Sequence, residues 1–88
     1  MDEFKIDKEL NLKGTICPYN FIKTKLAIED MEAGQIIKII VDFPTAPDDV
    51  SRGMEYEGHT VLKMNQLNQK DWEIIIKKGG INLYPPLS

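Results

Sequence analysis

At 88 residues, 42% hydrophobic and 28% charged, the chain has the size of one small domain, with a limited core and little room for a deep substrate cavity. Its net charge of −3 has the wrong sign for general nucleic-acid binding and suits docking on other proteins. One cysteine excludes an internal disulfide, and the apolar runs Ile39-Ile40-Val41 and Ile74-Ile75-Ile76 are far too short to span a membrane.

The residues from Met1 to Glu9 are charged and lack the apolar stretch of a signal peptide. With the lone thiol, they predict a soluble cytoplasmic protein. Within residues 4–16, Leu10 and Leu12 alternate with Asn11 and Lys13, the pattern of a first strand, and Gly14 closes it with a turn. Cys17-Pro18 then opens a helix, because proline at the first helical position lacks only an N–H that needs no partner there. This helix is expected to run to Met31 and end near Gly34. Phe21, Thr24, Ala27, Ile28 and Met31, spaced by three and four, form its buried stripe. Gln35 to Asp42 reads as a central strand with apolar residues on both faces. Phe43-Pro44 breaks it. Thr45, with Asp48 three residues on, marks the start of a second helix over Pro47 to Tyr56, although Gly53 is a poor helix former. Thr60 to Met64 and Trp72 to Lys77 read as two further strands joined by a polar hairpin connection, and Gly79-Gly80 ends the last one. The expected fold class is an α/β (α+β) two-layer sandwich of order β-α-β-α-β-β. A four-stranded mixed sheet carries both helices on one face. Residues 1–80 would form the domain and 81–88 an irregular tail.

The chemistry concentrates on Cys17. A thiol at the start of a helix lies at the positive end of the dipole, where free N–H groups stabilise a thiolate and lower its pKa. A lone intracellular cysteine is more commonly a packed core residue, so on the residues alone a reactive and a structural Cys17 both stand. The context Gly14-x-x-Cys17-Pro18 before a helix moves the balance toward reactivity.

Gly14-Thr15-Ile16-Cys17-Pro18, the amphipathic helix, Met31-Glu32-Ala33-Gly34-Gln35, a strand ending in Asp42-x-Pro44, and Ile76-Lys77-Lys78-Gly79-Gly80 together resemble the TusA/SirA family of sulfur-relay proteins over residues 9–80. The resemblance implies the sandwich derived above. It also implies a sulfurtransferase-like carrier that holds a persulfide on Cys17, supported by Gly14, Pro18 and Asn20. Sulfur would come from a donor protein of cysteine desulfurase or rhodanese type and pass to an acceptor protein, with no cofactor and no metal. The chain departs from the family pattern at four places. Asn11 stands where an acidic residue is usual, and Ile16 where a cation is. Asn20 replaces the second proline of Cys-Pro-x-Pro, and Phe43 the second aspartate of Asp-Asp-Pro.

Ile22 and Leu26 lie opposite the buried stripe of the first helix. They are either incidental surface hydrophobes or a docking ridge beside Cys17. Lys23 and Lys25 either attract an acidic partner or are solvated helix charges, with Lys25 and Glu29 at pairing distance along the helix. His59 has no evident partner for base catalysis, and no His, Cys and carboxylate cluster has metal-ligand spacing. A monomer without nucleic-acid or membrane contacts is expected. Two other functions stay open: a non-catalytic interaction module with an incidental cysteine, and a redox sensor, which would lack a resolving cysteine of its own.

Overall fold

Strands β1 (Lys8–Asn11), β2 (Ile36–Val41), β3 (Thr60–Gln66) and β4 (Trp72–Lys77) form one sheet of order β1-β2-β4-β3 in the computed structural model. Helices α1 (Tyr19–Glu29) and α2 (Ala46–Tyr56) complete the order β-α-β-α-β-β anticipated from the sequence. The structure describes residues 5–16 and 19–79; Cys17, Pro18, Gly80 and the expected tail 81–88 lie outside them.

The register explains the core. β2 alternates: Ile37, Ile39 and Val41 are fully buried, and Ile36, Lys38 and Ile40 are half-buried. Ile37 pairs with Ile76, Ile39 with Ile74 and Val41 with Trp72 across the antiparallel β2–β4 ladder. Side chains alternate between the two faces of a sheet, so these residues share one face. Ile28 from α1, Met31 just beyond its end, and Val50 and Met54 from α2 close over it. The opposite face mixes Ile36, Ile40 and the buried Ile75 with Lys38, Glu73 and Lys77. Lys38 there lies 3.8 Å from Glu9 and 3.6 Å from Glu73, exposed or half-exposed pairs that add little stability.

β1 runs parallel to β2. β2 and β3 are both antiparallel to β4, so they too are parallel to each other. Each of these two parallel relations is spanned by one helix, and the helices run in the same direction. Phe21 of α1 meets Gly53 of α2, and four residues further along both, Lys25 Nζ lies 3.7 Å from Glu57 Oε2. Lys25 thus reaches across to α2 instead of pairing with Glu29 along its own helix, the arrangement that the i, i+4 spacing suggested.

Helix α1 ends at Glu29, two residues before the expected Met31. The N–H groups of Asp30 and Met31 donate to Ala27 and Ile28 (3.3 and 2.9 Å), three residues back, and this tighter bonding closes the helix. Gly34 then turns the chain at φ +90°, and its N–H donates to Lys78 O at 3.0 Å. Helix α2 starts where Thr45 suggested, but not by side-chain capping. Thr45 lies at φ −96° and ψ −2°, not the extended geometry of a capping residue, and its side chain makes no cap hydrogen bond. Asp48 and Asp49 occupy the first turn, the favourable end for negative charge. β3 extends to Gln66, two residues beyond the expected end, and a bulge between Val61 and Lys63 interrupts its pairing with β4.

Gly53, the weak point of the second helix by propensity, is explained by packing. A Cβ there would run into the Phe21 ring, so the glycine lets the two helices close on each other. His59 also acquires a partner. Its Nδ1 accepts a hydrogen bond from the Gly79 N–H at 3.0 Å, joining the start of β3 to the end of β4. Burial, reinforced by Lys78 and opposed by Glu57, lowers the His59 pKa from its ordinary value.

Two outcomes follow from this packing. Gly53→Ala should lower stability by about 1–2 kcal/mol in urea unfolding, because overpacking against Phe21 exceeds the helix-propensity gain. Combining it with Phe21→Leu should recover part of the loss. His59 should make stability pH-dependent. A lowered folded pKa means that the unfolded state binds the extra proton, so stability is held above about pH 6.5 and falls as pH drops toward the lowered value. Urea unfolding at pH 7.5 and 5.5 should show this loss, and a smaller one in His59→Ala.

Candidate functional site

The segment that carries Cys17 leaves β1 and enters α1. Leu12 is buried and extends the ladder through its N–H to Ile40 O at 2.8 Å. The Lys13 N–H then donates to Asn11 Oδ1 at 3.0 Å, a local side-chain turn typical of asparagine. Gly14 takes φ +85°, the left-handed region open to glycine, and its N–H donates to Asp42 Oδ1 at 2.9 Å. Asp42 directly follows β2, so its carboxylate ties the turn before the cysteine to the neighbouring strand. Thr15 N–H donates to Leu12 O at 3.0 Å and completes the turn.

Beyond it, the Ile16 carbonyl accepts from the Asn20 N–H at 3.2 Å. This is a helix-type bond from a residue to the fourth before it, and it spans the Cys17-Pro18 dipeptide. The dipeptide is outside the described residues, but the turn before it and the helix after it are both anchored. No acidic residue lies in the first turn of α1, whereas α2 has two. The positive end of α1 therefore carries no carboxylate of its own first turn to compete with another anion.

Asn20, expected only to support the cysteine, is fully buried. Thr24, also fully buried, donates from Oγ1 to Asn20 O at 2.8 Å. Asn20 Oδ1 accepts from the Phe21 N–H at 2.7 Å, while Nδ2 has no hydrogen-bond partner among the described residues. A buried amide left in that state costs about 1–3 kcal/mol.

Ile22 and Leu26 lie on the outward side of α1, 42% and 58% exposed. They do not stand alone. Tyr19 (56%) is three residues before Ile22 on the same helix face, and Ile16 (54%) immediately precedes Cys17. The 19, 22, 26 spacing was visible in the chain and would have extended the ridge toward the cysteine. Lys23 is exposed beside it, and Lys25 is drawn to Glu57. His59 serves the β3–β4 junction through Gly79. The hollow lined by Glu9, Asn11, Lys38 and Ile40 lies on the sheet face away from both helices. Asp42 is the member of the site that reasoning from sequence missed as a contact. It stood in the strand-ending Asp42-x-Pro44, but only the folded chain shows what its carboxylate holds.

The family model described as "Sulfurtransferase TusA" matches residues 8–78, across both the cysteine segment and the Asp42 turn. The chain belongs to the TusA family. Among TusA-like relatives, an Archaeoglobus fulgidus protein named "Putative sulfur carrier protein" is 41% identical over 76 residues, covering 86% of each chain. Escherichia coli TsuB, named in the same terms, is 27% identical over 72 residues, covering 82% of this chain and 96% of its own. The crystal structure of a SirA-like protein from Desulfitobacterium hafniense superposes with a TM-score of 0.73 at 22% identity. It covers 82% of this chain and 97% of its own, and it shows that the fold is shared. No helix among the described residues is long and apolar enough to cross a membrane.

The loop geometry can be checked directly. Gly14→Ala should cost about 1–2 kcal/mol, the penalty for a side chain in the left-handed region. No atom lies within 4 Å of the added Cβ, so the cost is conformational and not steric. Asp42→Ala should speed amide hydrogen exchange at Gly14, while Asp42→Asn, which keeps an acceptor, should change it far less.

Proposed function

We propose that this TusA family member is a sulfur carrier that holds a sulfane sulfur as a persulfide on Cys17. The family match that runs through the cysteine segment carries this reading. Supporting it are the anchored Gly14 turn and an α1 N-terminus without an acidic first turn. The chemistry is exchange without net oxidation or reduction. The Cys17 thiolate attacks the outer sulfur of a donor persulfide, a new sulfur–sulfur bond forms, and the old one breaks. The donor leaves as a thiolate and Cys17 carries the extra sulfur. A nucleophile on an acceptor takes that sulfur in the same way and regenerates the Cys17 thiolate. Rate depends on thiolate fraction and access, both favoured at a helix N-terminus on the surface.

The donor would be a protein of cysteine desulfurase or rhodanese type, and the acceptor a second protein. Both would dock over the stripe of Ile16, Tyr19, Ile22 and Leu26, with Lys23 at its side. The working unit is residues 1–80 and the setting is the reducing cytoplasm, where the thiol stays available.

The exposed stripe alone also favours a second reading, an interaction module in which Cys17 is incidental. Intact mass after incubation with a cysteine desulfurase and L-cysteine separates them. The wild type should gain one reductant-removable sulfur atom and Cys17→Ser none, with the fold of the variant intact. Leu26→Glu should slow loading without abolishing it at high donor concentration. No gain on the wild type from that donor, nor from thiosulfate with a rhodanese, together with partner capture that Cys17→Ser leaves unchanged, would select the interaction module.

A further inference from the structure

We infer that His59 is a proton-operated clasp at the exit of β4: as the neutral imidazole it holds Gly79 to the start of β3, and as the imidazolium it lets Gly79 go. The inference goes beyond the carrier reading and does not depend on it. Thr60 and Lys77 form the end pair of the β3–β4 ladder. Past them the two chains stay together by a different contact. The Gly79 N–H donates to His59 Nδ1 at 3.0 Å, so a titratable ring stands where a strand ladder would use a carbonyl. The approach is close, because a Cβ on Gly79 would collide with the Gly58 carbonyl. The ring is held from behind. The His59 N–H donates to Met54 O and the Gly58 N–H to Glu55 O, both at 3.0 Å. The start of β3 is thus fixed to the end of α2, and the imidazole with it.

An acceptor at Nδ1 requires the tautomer with its proton on Nε2. A second proton can enter only at Nδ1. The imidazolium then carries an N–H on both nitrogens, and one of them meets the Gly79 N–H head-on. Two donors cannot bond, so protonation removes this contact outright. The charges around the ring set where that happens. Glu57, just beyond α2, favours the charged ring, but it is shared with Lys25 of α1 at 3.7 Å. Partial burial opposes the charged ring most strongly, and Lys78, just beyond β4, adds to that opposition. The closed clasp therefore keeps the ring neutral to lower pH than an open one would. The other side of the exit has no such device. The Lys78 N–H donates to Gln35 O at 2.9 Å and Lys78 O accepts from the Gly34 N–H at 3.0 Å, backbone bonds that contain no titrating group. Acid thus frees the exit on the β3 side alone. The chain that follows Gly79 leaves the sheet from a point whose attachment a proton decides.

Amide hydrogen exchange at Gly79, divided by its intrinsic rate at each pH, reads the clasp. In the wild type the protection should fall about tenfold for each pH unit between the ordinary histidine value near 6.5 and the lowered value of the closed ring. At pH 5.5 Gly79 should exchange faster than the amides of the central strand β2, which marks the opening as local. His59→Asn places an amide oxygen near the position of Nδ1, an acceptor that does not titrate, and should make the Gly79 protection independent of pH. A second measurement uses the wild type alone, so that it stands even if the variant fails to fold. Ring ¹⁵N resonances at pH 7.5 should show the proton on Nε2, and the Gly79 amide proton should shift along the ring's own titration curve. Gly79 protection that ignores pH, an equal pH response in a folded His59→Asn, exchange of Gly79 only at the rate of β2, or a ring proton on Nδ1 at pH 7.5 would each overturn the inference.

Discussion

Parallel strands cannot be joined by a tight turn, and the rest of this structure depends on that constraint. β1 and β2 lie side by side and point the same way, so the chain must leave the end of β1, return across the sheet and start again. The crossover helix necessarily begins at the carboxyl end of β1. In this chain the cysteine sits at that junction. The end of β2 lies beside it, which puts Asp42 within reach of Gly14 at 2.9 Å. The topology thus delivers a backbone turn, a fixing carboxylate and a helix N-terminus to one rim of the sheet. The buried wall of Ile37, Ile39, Val41, Ile74 and Ile76 is what keeps that rim in register.

The two helices show how the same backbone electrostatics can be put to different uses. They run in the same direction, so their positive ends lie at the same side of the molecule. In α2 that end is met by Asp48 and Asp49 from its own first turn, which quiets it. In α1, which begins at Tyr19, the first turn holds no acid. The difference is local sequence, not fold. It matches what a sulfur anion requires and what a purely structural helix does not.

Much of this was legible in the chain. The apolar run of Ile36–Val41 announced a strand and the three-and-four spacing of Phe21, Thr24, Ile28 and Met31 a helix, because strand and helix periods differ; which face of the strand is the more deeply buried was not readable, since apolar residues stand on both. Gly14 announced a turn and Thr45 a helix start. What stayed hidden depends on contacts between elements distant in sequence. Nothing near Lys25 points to Glu57, and nothing near Gly53 points to the Phe21 ring. The burial of Asn20 was concealed for another reason: a polar residue on the core-facing side of a helix looks like surface until its neighbours are known. The end of α1 was overestimated because Met31 keeps the apolar period after the hydrogen bonding has already tightened.

The bulge in β3 bears on how the molecule can meet others. A four-stranded sheet has two open edges, each a row of backbone donors and acceptors that another chain could extend. Here one edge is β1, only four residues long, and the other is β3, whose pairing slips between Val61 and Lys63. Bulges and brevity both spoil the flat template that strand addition needs. Growth of the sheet by a second chain is therefore disfavoured at both margins. Recognition is left to side chains on the helical layer, where contacts can form and release without unzipping any backbone.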